Sequence, residues 1–435
     1  MKCLMTCECC SGSPIHSVRS KRTVKYSLLA VVLCGYAVSY YVFPYASQAY
    51  RKSLISELED NLTGVCHQML STRLGNAQVR LLATKNVTRM VPGFLNSSSN
   101  CRAFKWINAF QTQTSSEEWN FGLAFSIAVY KEPSQVARLL RAIYRPSNVY
   151  CIHIDAKSTA TFVADMEGLA TCFGSNVLIV PQSMRTRMNW GDLTTVEALL
   201  VCSQMLLLNT SIQWRYLLSV SGTEFPLRTN MELVRLLKAI HGSNLIDGVN
   251  DGPWKNRIPR KSLSFEVQWY KGYFYSALTR EFVQYIHTNR NASEILQALR
   301  SEGRKVLCQD ELFLPTLHYN QALRAPGGCS WTMNDTNPTR TQVIRFTKWT
   351  GKASECHSGR SVRNVCIMGI NDLFTLTTAK HMFVNKFHYD FQSIAYDCLE
   401  HWLFMKVKNE LESGDVAQTF NVTFYANLQC SRDHW

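Results

Sequence analysis

Between residues 122 and 242 the chain switches repeatedly between two hydrophobic periods, and that alternation restricts its fold more than any other feature. Leu123, Phe125, Ile127 and Val129 recur at every second residue, as in a strand, and Val136, Leu139, Leu140 and Ile143 then recur at helical spacing as far as Pro146. The run 148–155 (NVYCIHID) and the shorter run 176–181 (NVLIVP) predict two more strands, with a helix over 161–172 between them. A long helix is predicted over 194–208, a buried strand over 216–220, and a helix over 231–240 that is capped by Thr229 or Asn230 and stopped by Gly242. Strands alternating with helices imply βαβ crossovers, hence an α/β fold with a Rossmann-like, mostly parallel sheet. Ligands of such sheets sit beyond the carboxyl ends of the strands. Asp155 ends a strand in that way and is a candidate ligand residue; a turn or cap aspartate is the structural alternative.

A second feature lies ahead of this body. No residue from Tyr26 to Tyr50 is charged, and 26–46 is mostly aliphatic and aromatic, long enough as a helix to span a bilayer of roughly 30 Å. Arg19, Lys21, Arg22 and Lys25 precede it with only Glu8 opposing them, which keeps the short tail cytosolic and puts the body in a lumen or outside the cell. The expected organisation is a cytoplasmic tail over 1–25, a type II signal-anchor over 26–46, a luminal stem and capping region over 47–118 and a catalytic domain over 119–435. Ser47-Gln48-Ala49 offers the rival of a cleaved signal peptide. Sequons at Asn61, Asn86, Asn96, Asn209, Asn291, Asn334 and Asn421, all beyond the anchor, are N-glycosylation candidates. Eleven cysteines, from Cys66 to Cys430, lie in the body, where an oxidising lumen favours disulfides. Their odd number leaves a free thiol or an intermolecular bridge, so a disulfide-linked homodimer is one use of it.

Motifs narrow the chemistry by exclusion. The formal charge of +14 invites anionic partners without choosing among them. There is no G-x-x-x-x-G-K-[ST] loop, no G-x-G-x-x-G fingerprint, no histidine pair at zinc-protease spacing and no G-x-S-x-G elbow. Nor is there an Asp-x-Asp pair to hold the divalent ion on which many nucleotide-sugar enzymes rely.

The run 139–158 (LLRAIYRPSNVYCIHIDAKS) resembles the core 2 and I-branching β-1,6-N-acetylglucosaminyltransferases. Matching stretches follow in order: Cys172-Phe173, Trp190 ahead of a helix carrying Cys202, 214–217 (WRYL), 222–230 (GTEFPLRTN), 278–283 (LTREFV), Asp310-Glu311, 345–349 (RFTKW), 363–373 and 383–387 (FVNKF). The resemblance covers roughly 66–411. It implies a Golgi type II membrane protein with a GT-A-type fold that transfers N-acetylglucosamine from UDP-GlcNAc with inversion, without a metal or other cofactor. The acceptor implied is a mucin-type O-glycan on a glycoprotein, through the GalNAc 6-hydroxyl of core 1; nucleic acid is not an expected partner. Glu311 matches the catalytic base, with Asp310 in support. Asp155, Val129, Arg363 and Lys386 fall to the donor, the last two as cations for the diphosphate, and Trp349 and Glu224 to the acceptor. A helix-start carboxylate pair, solvated cations, core packing of the indole and a buried structural glutamate are the plainer alternatives for these residues.

The sequence departs from the family pattern on the acceptor side. Cys308-Gln309 stands where the family has Ser-Pro, Gly351 where a tyrosine is expected two residues after Trp349, and Ile246 where a glutamate is expected. Tyr130-Lys131 replaces histidines near the donor, and Lys255 and Arg257 do not align with the family's basic pair. The matched cysteines imply the pairs Cys66–Cys398, Cys101–Cys172, Cys151–Cys202 and Cys356–Cys366, leaving Cys308, Cys329 and Cys430 unassigned. A peptide O-xylosyltransferase, hinted at by Trp190-Gly191-Asp192, and an inactive glycan-binding protein are the alternative functions.

Overall fold

The computed structural model describes residues 63–84, 101–303, 306, 308–329, 343–351 and 356–435. The tail, the apolar run 26–46 and the sequons at Asn61, Asn86, Asn96 and Asn334 lie outside the described residues. Among the described residues no helix is long and apolar enough to cross a membrane.

Eleven strands are present among the described residues. β1 (Gly122–Val129), β2 (Val149–Ile154), β3 (Val177–Ile179) and β4 (Trp214–Ser221) are joined by helices α1 (Pro133–Ile143), α2 (Ala160–Thr171) and α3 (Thr194–Leu208). Then come β5 (Glu224–Pro226), α4 (Asn230–Ala239), β6 (Leu245–Ile246), β7 (Ser276–Thr279), β8 (Arg345–Thr347), β9 (Ser361–Val362), β10 (Val365–Cys366), β11 (Phe383–Asn385) and α5 (Ser393–Ser413). The main sheet has the order β3-β2-β1-β4-β7-β6, with β3, β2, β1 and β4 mutually parallel and β7 antiparallel to both its neighbours. A three-stranded sheet, β5-β11-β8, stands apart from it.

The expected α/β fold is therefore present, and the alternating pattern of β1 explains its layers. Leu123, Phe125, Ile127 and Val129 pack on one face with α1, α2 and α4, while Ala124 on the other joins Val149, Cys151 and the α3 residues Val196, Leu199 and Cys202. Both faces are covered, as a parallel sheet requires. Each fully buried aliphatic or phenyl side chain here stabilises the fold by roughly 1.5–3 kcal/mol. α4 begins where the sequence predicted: Thr229 Oγ1 accepts from the Glu232 amide at 3.1 Å while the Glu232 carboxylate accepts from the Thr229 amide at 3.0 Å, a reciprocal cap.

A third core holds Cys66, Met69 and Leu74 against Leu399 and Leu403 of α5. It is pinned by a buried ion cluster in which Arg138 of α1 meets Asp397 at 2.6 Å and Glu400 at 2.5 Å on α5. The described parts of the segment expected as stem are thus packed into the body; Phe104 and Phe110 join the first core. All four implied disulfides are formed, and Cys329–Cys430 adds a fifth with its Cα atoms 5.5 Å apart. Of the described sequons, Asn421 is exposed, Asn209 donates its amide to the Ser175 carbonyl, and Asn291 sits in the first turn of a helix.

Candidate active site

The order of the main sheet reverses at β1, where the chain runs outward through β2 on one side and returns as β4 on the other. This is the switch point at which parallel sheets leave a crevice. Val129 closes β1 there, fully buried, and its carbonyl accepts from the Asp155 amide at 2.9 Å. Asp155 follows β2; its carboxylate accepts from the Lys157 amide at 2.8 Å and has the Lys157 ammonium at 3.6 Å. Lys157 in turn reaches the Met188 carbonyl, tying the strand end to the loop that carries Trp190.

Two cations approach from other elements. Arg363 and Asn364 form the two-residue turn between β9 and β10, both at positive φ (54° and 61°), a hairpin geometry usually filled by Asn-Gly. The Cys356–Cys366 bridge staples this hairpin, and the Thr350 amide donates to the Asn364 carbonyl at 2.8 Å, docking it beside Trp349. Lys386 follows β11. Burial and the charge of Arg363 push the Lys386 ammonium below its ordinary pKa, while Glu224 opposes them. The arrangement therefore concentrates positive charge in a partly dry place. Arg363 rests on the exposed indole of Trp190, 5.3 Å from the ring centroid.

Glu224 is fully buried beneath these cations. It accepts from the Ser221 amide at 3.0 Å and from Asn385 Nδ2 at 3.0 Å, and pairs with buried Arg345 at 3.0 Å. Its carboxylate presents no surface to a sugar, so its place is that of a support under Lys386 rather than the acceptor contact expected of it. Removing one partner of such a pair leaves an uncompensated buried charge, at a cost of about 3–5 kcal/mol.

The carboxylate pair occupies a short turn, Gln309–Glu311, ahead of the helix Phe313–Tyr319. Arg257 donates to Glu311 Oε2 at 2.9 Å and Lys271 stands 3.9 Å from the same oxygen. Among the described residues none donates to Oε1, and the Glu311 side chain keeps 21% of its surface exposed. Burial raises the Glu311 pKa and the two cations restrain the rise. Asp310 accepts from Thr195 Oγ1 at 3.0 Å, and burial together with the neighbouring Glu311 charge pushes it up to about 7. Cys308, the one free cysteine among the described residues, donates its amide to the Gly191 carbonyl; burial raises its thiol. A disulfide-linked dimer through the body would have to draw on this half-buried thiol beside the base. Trp190 and Gly191, adjacent in the chain, thus touch Arg363 on one side and the Cys308–Glu311 turn on the other. Asp192 of the same loop accepts from the Thr194 amide, at the first residue of α3, at 2.9 Å.

Sequence reasoning missed the stretch 271–275 (KGYFY), which links Glu311, Trp349 and the Asn385–Arg345 pair. Lys271 faces Glu311, the Gly272 amide donates to the Glu311 carbonyl at 2.8 Å, and the Tyr273 ring stacks on Trp349. Tyr275 accepts from Asn385 at 2.9 Å, and the Arg345 guanidinium lies over its ring. Gly272 is obligatory, since a Cβ there would fall 1.7 Å from the Asp247 carbonyl oxygen. A glycine between an apolar-aromatic run and a strand was the available signal.

Val129 and Asp155 thus stand at the switch point of the sheet, the Trp190–Gly191 loop joins Arg363 to the turn that holds Glu311, and Tyr273 packs on Trp349. Residues 123–377 match the family model described as Core-2/I-Branching enzyme. A bovine β-1,3-galactosyl-O-glycosyl-glycoprotein β-1,6-N-acetylglucosaminyltransferase is 30% identical over 344 residues, which cover 73% of this chain and 78% of the relative. The human protein of that name is 30% identical over 345 residues, with the same shares of each chain. A mouse form, numbered 4, is 30% identical over 328 residues, covering 69% of this chain and 70% of its own. The chain belongs to the Core-2/I-Branching enzyme family and is a glycosyltransferase.

Proposed function

We propose that the protein is an inverting β-1,6-N-acetylglucosaminyltransferase of GT-A type that uses UDP-GlcNAc and extends core 1 O-glycans on glycoproteins at the GalNAc 6-hydroxyl. The observation that carries this reading is the Trp190–Gly191 loop, which holds Arg363, the neighbour of Lys386, on its indole and the turn of the partly buried Glu311 on its backbone. Glu311 Oε1 takes the proton of the acceptor hydroxyl as that oxygen attacks the anomeric carbon. The bond from that carbon to the β-phosphate oxygen breaks on the opposite face, and UDP departs with the electron pair, so the α-linked donor yields a β-linked product. Arg363, a planar fork, and Lys386, a point charge, receive the charge that builds on the diphosphate without a metal. Asp155 and the Val129 end of β1 hold the nucleotide end of the donor, and Trp349 offers an indole face to the acceptor sugar. The relatives' names support the linkage and the glycoprotein acceptor. Five disulfides and the basic-flanked run 26–46 fit a Golgi type II protein with this body in the lumen. The test is UDP release in EDTA: it should appear on adding core 1 disaccharide to enzyme and UDP-GlcNAc. Release that requires manganese would overturn the electrostatic assignment, and no release would favour a glycan-binding protein.

A further inference from the structure

We infer that Tyr273 is a specificity-determining residue of the acceptor site: it forms with Trp349 the aromatic wall on which the acceptor pyranose lies. The inference rests on the glycosyltransferase reading above and assigns a residue that reading does not use. The rings of Tyr273 and Trp349 are 6.2 Å apart between centroids and within 16° of parallel, a stacked aromatic pair. Both residues are only partly buried, so the pair keeps surface that a ligand can reach.

Its position relative to the base is fixed by the chain. The preceding Gly272 amide is bonded to the Glu311 carbonyl, and Lys271, two residues back, reaches the Glu311 carboxylate. Two residues span at most about 7 Å, so the Tyr273 backbone lies within about one sugar length of the residue that faces the base. Meanwhile Gly351, where the resemblance leads one to expect a tyrosine, has φ +86° and open space where a Cβ would point. The aromatic partner of Trp349 comes from the 271–275 stretch. A pyranose with an apolar C–H face, such as galactose, is the chemical class this wall recognises.

The experiment is a kinetic comparison of Tyr273→Ala and Tyr273→Phe using galactosyl-β-1,3-N-acetylgalactosamine as the acceptor. Tyr273→Ala should raise the acceptor KM by about 5- to 10-fold, the scale of one lost aromatic contact, while leaving the UDP-GlcNAc KM and Tm at wild-type values. Tyr273→Phe should restore the acceptor KM. An unchanged acceptor KM in Tyr273→Ala, or equal damage in both variants with a lowered Tm, overturns the assignment and leaves the glycosyltransferase reading standing. Absence of any transfer by the wild-type chain would overturn that reading and the assignment with it. Should Tyr273→Ala fail to fold, Tyr273→Leu, which keeps bulk but removes the ring, takes its place: a raised acceptor KM that Tyr273→Phe does not show supports the assignment, and an unchanged acceptor KM overturns it.

Discussion

Gly272→Ala is the sharpest perturbation the site allows, because it adds one methyl group at a point closed by the Asp247 carbonyl and the Pro315 ring. The new Cβ would sit 1.7 Å from the Asp247 carbonyl oxygen, 2.6 Å from its carbon and 2.9 Å from Pro315 Cγ. Side-chain carbons essentially never approach closer than 3.0 Å, so the backbone must give by about 1.3 Å or more. The displaced segment carries Lys271 and Tyr273 and, through the Gly272 amide, the turn that holds Glu311. Overpacking of this kind costs about 1–3 kcal/mol, and a shift near 1 Å in the reacting geometry costs about 10²-fold in rate. Tm and turnover should both fall. UDP affinity should hold, because Arg363 and Lys386 lie on β9–β10 and after β11. The assay pairs thermal melts and UDP calorimetry with transfer kinetics. A variant with wild-type turnover would refute the claim that 271–275 sets the base, and loss of UDP binding alone would refute the separation of donor and acceptor sides.

Other expectations concern single groups. Glu311→Gln keeps the bond to Arg257 within reach but cannot accept a proton, so turnover should drop by about 10²-fold or more with UDP binding intact; near wild-type turnover would exclude Glu311 as base. The acid limb of kcat/KM follows the ionisation of Glu311, which must be charged to act. Lys271 favours the charged form, so Lys271→Met should raise the Glu311 pKa and move that limb to higher pH; a limb that stays put or moves to lower pH would disprove the coupling. Cys66–Cys398 closes a loop with a sequence separation of 332 and joins the third core, an upper bound of about 6 kcal/mol in chain entropy. Cys66→Ser should therefore abolish secretion of the folded body, and normal secretion would contradict that weight.

Much of this was legible in the sequence wherever contacts are local. The period-2 and period-3.6 stretches from β1 to α4 carry their own hydrophobic faces, and Thr194–Leu208 is found as predicted. Asp155 stands at its strand end for the same reason. The far half of the sheet was hidden because β6 is two residues long, too short to show a period, and because β7 pairs antiparallel between β4 and β6 across long loops. Arg257 and Lys271 could not be placed beside Glu311 from spacing, since they are separated from it by 54 residues in one case and lie on an irregular stretch in the other. For Glu224 the sequence left an acceptor contact and a buried structural carboxylate side by side, and the pairing with Arg345, far along the chain, decides for burial.

The central claim is transfer with inversion by Glu311 together with a metal-free cationic site, and the product itself tests it most directly. Enzyme, UDP-GlcNAc and core 1 disaccharide are incubated in EDTA, and the trisaccharide is analysed by NMR. The account predicts one new N-acetylglucosamine, β-linked to the 6-oxygen of GalNAc. An α-linked product, attachment at another oxygen, or no product here while a parallel incubation with UDP-xylose yields one would contradict it.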